Sequence, residues 1–176
     1  MSFCDPQQTV LQLGLRDGMR VGDFGSGSGH YALSAAKIVG ETGRVYAIDI
    51  QEEVLAALRN QAASRGIHNI ETVWGDFERP GGTKLKNDTL DAVILSNTLF
   101  QVDLRSGLLD ELKRVMKRGA RLLVVDWAGS YEGLGPPPER IVSEYTATDL
   151  FISAGFHKVK DFRAGPHHYS LVFTAP

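Results

Sequence analysis

Asp23-Phe24-Gly25-Ser26-Gly27-Ser28-Gly29 closes an apolar run, Met19–Phe24, and leads into a helix-like segment, Tyr31–Val39. A strand that ends in alternating glycines and passes directly into a helix predicts a tight βα turn. Glycine there lets the backbone turn sharply and lets a ligand approach the main chain. The N–H groups at the start of the next helix favour an anionic group. Asp49 stands twenty residues beyond Gly29, in a second apolar run, Val45–Ile50. An acid at that place can accept hydrogen bonds from two ribose hydroxyls. Loop and acid together predict a nucleoside-containing cofactor.

Two cofactors compete for this loop. Gly27-Ser28-Gly29-His30-Tyr31-Ala32 fits the G-x-G-x-x-A form of a dinucleotide fingerprint. Asp23 argues for S-adenosylmethionine instead. A carboxylate just ahead of the glycines repels a pyrophosphate and attracts a cation, such as an amino group beside a sulfonium.

Outward from the loop, strand-like runs alternate with helix-like segments. The further runs are Ile70–Val73, Leu90–Leu95 and Arg121–Trp127. Their near-continuous Val, Ile and Leu suit parallel strands covered on both faces. Helices are expected over Pro6–Leu13, with Asp5 as N-cap, and over Glu52–Arg65, Leu104–Arg118 and Thr146–Ala154. Gly66, Gly119 and Gly155 would close the last three. Gly129–Pro138 reads as a loop. His157–Phe162 and Tyr169–Phe173 are joined only by Arg163-Ala164-Gly165-Pro166, so they form an antiparallel hairpin. The alternation implies a doubly wound α/β sheet with one reversed strand at its end.

The 176 residues fit one domain over 1–176. At 43% hydrophobic and 23% charged, the chain has enough apolar surface for a core, which excludes disorder as its main state. A net charge of −2 disfavours a nucleic-acid binder that relies on bulk positive charge. No apolar run reaches the roughly 18 residues of a membrane helix, and no secretory signal opens the sequence. Cys4 is the only cysteine, which excludes an internal disulfide and a multi-cysteine zinc site. A cytoplasmic protein is expected.

With these residues in view, the chain resembles the class I S-adenosylmethionine-dependent methyltransferases over nearly its whole length. The matching stretches are 23–29, Ala47-Ile48-Asp49-Ile50, Gly75-Asp76-Phe77 and Leu90-Asp91-Ala92-Val93-Ile94-Leu95. Leu112-Lys113-Arg114-Val115-Met116-Lys117-Arg118-Gly119 and Ala154-Gly155-Phe156 match as well, with Arg118 and Ala120 as departures. The nearest group by these motifs and by the tail His168-Tyr169-Ser170-Leu171-Val172-Phe173 is the small prokaryotic, ubiquinone/menaquinone-biosynthesis-like (type 11) one. The resemblance implies a Rossmann-like sheet of seven strands in the order 3-2-1-4-5-7-6, strand 7 antiparallel, with helices on both faces. It implies that Gly25, Ser26, Gly27 and Gly29 flank the methionine part of the cofactor and that Asp23 and Ser96 help to bind it. It further implies that Asp49 holds the ribose, Ile50 packs on adenine, and Asp76 binds the adenine amino group with Phe77 beside it.

Methyl transfer from a sulfonium is an in-line displacement with a good leaving group, so alignment and water exclusion come first. A base is needed only for a protonated nucleophile. Candidate catalytic residues are His30, Tyr31, Asn97 and His168. Phe100, Gln101, Trp127, Tyr131, His167 and Tyr169 are further acceptor-pocket candidates beyond the strand ends. The segment Ser96-Asn97-Thr98-Leu99-Phe100 lacks the paired prolines of methyltransferases that modify base amino groups or protein glutamine. Cytosine C5 and arsenite enzymes need cysteines that this chain lacks. Only Asp103 and Asp126 stand near the place of a catechol-type metal site, so no metal is expected. A small-molecule acceptor fits best, with no nucleic acid and no membrane. The pocket would be completed by Gly129–Arg140, by the N-terminal helix or by a second subunit in a homodimer. A protein acceptor of isoaspartyl type and a non-catalytic cofactor-binding module remain as alternatives. A nicotinamide oxidoreductase would need a second catalytic domain.

Overall fold

The computed structural model describes residues 5–103, 105–131 and 133–176. Cys4 and Leu104, the expected first residue of one helix, lie outside the described residues. The sheet is built from β1 (Arg20–Phe24), β2 (Arg44–Asp49), β3 (Ile70–Trp74), β4 (Leu90–Ser96), β5 (Met116–Trp127), β6 (His157–Arg163) and β7 (His168–Thr174). Their spatial order is β3-β2-β1-β4-β5-β7-β6. All pairs are parallel except β5–β7 and β6–β7. The helices are α1 (Pro6–Leu11), α2 (His30–Val39), α3 (Glu52–Ser64), α4 (Arg105–Val115) and α5 (Glu144–Ser153).

The apolar runs are continuous because both faces of the sheet are covered. Val21, Ala47, Ile94 and Val125 pack with Ala32, Leu33 and Val39 of α2 and with Leu58 of α3. Phe24, Ile48, Leu95 and Val124 point the other way, toward Leu108 and Leu112 of α4 and Phe151 of α5. Successive strand residues alternate between these two cores.

Local signals explain the helix ends. Asp5 accepts hydrogen bonds from the N–H groups of Gln7 and Gln8, with Pro6 at the first helical position. α1 nevertheless stops at Leu11 rather than Leu13. α5 begins earlier than expected, at Glu144, because Ser143 caps the N–H of Thr146. The expected helix to Arg118 ends at Val115, and β5 starts at Met116 instead of Arg121. Met116 pairs with Leu90, the register shifts between Leu90 and Ala92, and Gly119 takes a φ of 74° in the bulge. A bond from Gly119 N–H to Ala175 O and one from Ala175 N–H to Ala120 O fasten that bulge to the end of β7.

One consequence positions the site. The carboxyl ends of β1, β4 and β5 meet at one rim of the sheet. β7 runs the opposite way, so its first residue, His168, arrives at that rim opposite Trp127.

Candidate functional site

A cavity of about 360 Å³ opens at this rim. Asp23, Gly25, Ser26 and Gly27 line it from the βα turn, and His30 and Tyr31 from the start of α2. Ser96, Asn97 and Gln101 come from the segment after β4; Trp127 and His168 close the far side, and Pro6 of α1 reaches its edge. Thus one cavity gathers residues far apart in sequence. Phe100, Tyr131, His167 and Tyr169 do not line it. The Tyr169 hydroxyl donates to Val142 O at 3.0 Å, and Tyr131 packs on His167 with ring centroids 4.2 Å apart.

Asp23 is the chemical centre of the cavity. It ends up buried because β1 carries it toward α2, where the Ala32 N–H reaches it. Its Oδ2 has no hydrogen-bond partner. Burial pushes its pKa up to about 7; the Ala32 bond opposes this, and the charge of Asp49 adds to it. A buried carboxylate with an open oxygen is poised for a cation. Ser26 Oγ, Asn97 Oδ1 and His168 Nε2 are also buried polar atoms without partners.

Glycine is required here for two different reasons. Gly29 takes φ 74°, and a Cβ there would lie 2.2 Å from Leu58 Cδ1, so close packing of α3 forbids a side chain. Gly27, at φ 46°, has nothing within 4 Å of where a Cβ would stand, and the open space faces the cavity it lines. Gly27 N–H donates to Asp49 Oδ2 at 2.9 Å, and Gln51 N–H donates to Asp49 Oδ1 at 2.9 Å. The buried Asp49 thereby ties the glycine turn to the end of β2, and each of its oxygens retains an acceptor site.

The remaining sequence candidates lie beside the cavity, not in its wall. Ile50 is 62% exposed, and Trp74, which the sequence reading did not single out, is 58% exposed. Trp74 Nε1–H donates to Ile50 O at 3.1 Å, which joins two solvent-facing apolar groups next to Asp49. Asp76 is held in its own turn, accepting from Glu78 N–H at 3.0 Å and pairing with Arg79 at 2.8 Å. The Phe77 ring is buried and stacks on Phe24, with centroids 5.5 Å apart.

Asp126, considered only as a metal ligand from sequence, has another role. It is buried at the end of β5 and accepts from Leu99 N–H and Trp127 N–H, both at 2.8 Å. Burial pushes its pKa up to about 6, against bonds from Trp127, Leu99, Thr98 and Phe100. It fixes the segment that carries Asn97 and Gln101. Among the described residues, no group of three or more His, Cys, Asp or Glu is placed to hold a metal ion. Among them too, no helix is long and apolar enough to cross a membrane.

A seven-stranded sheet in this order, with a glycine turn after β1 and acids at the ends of β1 and β2, defines the class I methyltransferase fold. Comparison with known proteins agrees. Residues 15–161 match the methyltransferase domain family. A SAM dependent methyltransferase from Aquifex aeolicus superposes with a TM-score of 0.90 at 30% identity, over 99% of this chain and 91% of that one. The ubiquinone/menaquinone biosynthesis C-methyltransferase UbiE of Pseudomonas entomophila (strain L48) is 33% identical over 121 residues, 68% of this chain and 46% of its own. The UbiE of Haemophilus ducreyi matches equally well, with the same shares covered. This chain therefore spans about half the length of the curated relatives it matches. The [4+2]-cyclase SpnF shares the fold at 18% identity, with a TM-score of 0.81 over 97% of this chain and 79% of that one. The chain belongs to the class I S-adenosylmethionine-dependent methyltransferase family, in the neighbourhood of the UbiE-like group.

The donor set fits an S-adenosyl cofactor. Asp23 offers an orphaned carboxylate oxygen to a cation, Gly27 leaves open space beside it, and Asp49 keeps acceptor sites for two hydroxyls.

Proposed function

We propose that this protein transfers the methyl group of S-adenosylmethionine to a small organic acceptor bound in the cavity between Asp23 and Trp127. The observation that carries this is the unpartnered, buried Oδ2 of Asp23 in that cavity. A pyrophosphate there would meet a carboxylate, whereas an amino group beside a sulfonium meets the charge it needs. The bound cofactor supplies an electrophilic methyl group on sulfur.

The protein's own residues bind, orient and exclude water. Asp23 takes the ammonium of the methionine moiety, with Ser26 and Ser96 beside it. Asp49 accepts from the ribose hydroxyls. Ile50 and Trp74 present apolar surface to adenine, and Asp76 meets the adenine amino group once Arg79 yields one of its oxygens. Asp126 holds the segment after β4 so that Asn97 faces the acceptor. Alignment of two reactants in this way supplies most of what a displacement at sulfonium needs.

The names of the curated relatives favour a small-molecule acceptor over a protein one. SpnF, by contrast, has a cyclase name on the same fold, so turnover must be measured. Incubation with methyl-labelled S-adenosylmethionine and a panel of small hydroxylated and aromatic acceptors should give labelled product and S-adenosylhomocysteine. Binding of the cofactor with no turnover on small molecules would overturn the reading in favour of a binding module.

A further inference from the structure

The wall of the cavity facing Asp23 bears on the acceptor, given the methyl-transfer reading above. His168 is 5% exposed, and its Nε2 has no hydrogen-bond partner. Its ring lies against Trp127, with centroids 4.3 Å apart, so packing fixes where the nitrogen sits. Asn97, at φ 54°, lines the same cavity, and its Oδ1 is buried and unpartnered. Buried polar atoms are nearly always hydrogen-bonded, so two orphans on one wall call for a ligand that completes them. Among the described residues, no Lys or Arg lines the cavity, and the one carboxylate that does is Asp23. An anionic acceptor finds no counter-charge there, and a cationic one would compete for Asp23 with the cofactor.

We infer that the acceptor is a neutral molecule with a hydroxyl nucleophile, and that His168 Nε2 takes the proton of that hydroxyl during methyl transfer. The acceptor oxygen forms the new O–CH3 bond. The S–CH3 bond breaks, and its electron pair stays on sulfur. The hydroxyl proton passes to Nε2, and the imidazolium later releases it to water. Asn97 Oδ1 accepts a second donor of the acceptor, while Trp127 and Tyr31 offer flat walls to a ring. Burial and the adjacent His167 both lower the pKa of His168, which keeps the imidazole neutral at pH 7 and able to accept. His30, exposed at the cavity mouth, has no such enclosure.

The test uses the S-adenosylhomocysteine complex with phenol, anisole and benzoate as probes, followed by NMR. Phenol should bind at least tenfold more tightly than anisole, and benzoate should not bind at the same concentrations. His168→Phe should bring phenol and anisole within about twofold of each other. In the wild-type protein the His168 imidazole signals should shift with phenol and not with anisole, which gives a readout that needs no variant to fold. Turnover of a phenolic acceptor should yield an O-methyl product, and His168→Gln should lower kcat about a hundredfold with KM little changed. A carbon-methylated product, preference for benzoate, absence of a phenol preference, or a preference that survives His168→Phe overturns this inference alone. Failure of S-adenosylhomocysteine itself to bind overturns the methyl-transfer reading beneath it.

Discussion

Asp23→Asn should make the empty protein more stable and the cofactor site weaker. The magnitude follows from its pKa, pushed from 3.8 to about 7 by burial. Roughly three units at 1.36 kcal/mol each is about 4 kcal/mol. The folded chain holds the Asp23 proton more tightly than the unfolded chain does. Between pH 3.8 and about 7 the native state therefore binds more protons, and stability falls as pH rises through that window. Asparagine keeps the shape and the acceptor for Ala32 N–H, and it removes the charge. Its amide nitrogen then lacks a partner, which costs about 1–3 kcal/mol. The net gain at pH 8 is about 2 kcal/mol; by pH 4 the charge term has nearly gone and the amide cost remains, so the variant should be about 1–2 kcal/mol less stable than wild type there. Urea unfolding of both proteins at the two pH values measures this. Calorimetry of the same samples should show S-adenosylhomocysteine binding weakened by about ten- to a hundredfold, the worth of one charge-assisted bond. A variant that is destabilised equally at both pH values, or that binds as tightly as wild type, refutes the reasoning.

Other predictions concern the frame of the site. Burial pushes Glu111 up, but bonds from Arg114, Thr83 and Gly81 together outweigh it and hold its pKa at about 2. Stability should fall by about 3 kcal/mol as pH drops from 4.5 to 2, and Glu111→Gln should flatten that part of the pH–stability curve. Asp126→Ala leaves the Leu99 and Trp127 N–H groups without acceptors and should cost about 2–4 kcal/mol in denaturant unfolding. Its Leu99 amide should exchange with deuterium at least tenfold faster. Gly29→Ala meets Leu58 at 2.2 Å at a positive φ and should lower Tm by several degrees, whereas Gly27→Ala carries only the backbone cost of about 1–2 kcal/mol.

The order of strands was legible because the physics that sets it is local and repetitive. Runs such as Val45–Ile50 and Leu90–Leu95 lie between two cores, so they read as unbroken apolar segments. The reversed β7 followed from a link too short for any crossover. The start of β5 was not legible, because Val115-Met116-Lys117 continues the helical pattern until pairing of Met116 with Leu90 overrides it. Around the site, the placement of Asp23, Gly25 and Gly27 at one cavity was legible from charge and chain direction, whereas Gly29 lies outside its wall. For Phe77 a ring after a strand end suits core and ligand equally well, and the fold adds that it stacks on Phe24. The holding role of Asp126 could not be read, since the Leu99 N–H it accepts from stands 27 residues earlier. Trp74 escaped notice because only the fold shows its indole bonded to Ile50 O.

Calorimetric titration with S-adenosylhomocysteine, repeated on Asp49→Ala and set against NADH, tests the central claim most directly. Saturable micromolar binding by the wild type, lost in Asp49→Ala and not matched by NADH, is the predicted result. Binding of NADH in place of S-adenosylhomocysteine, or S-adenosylhomocysteine binding indifferent to Asp49→Ala, would contradict the account.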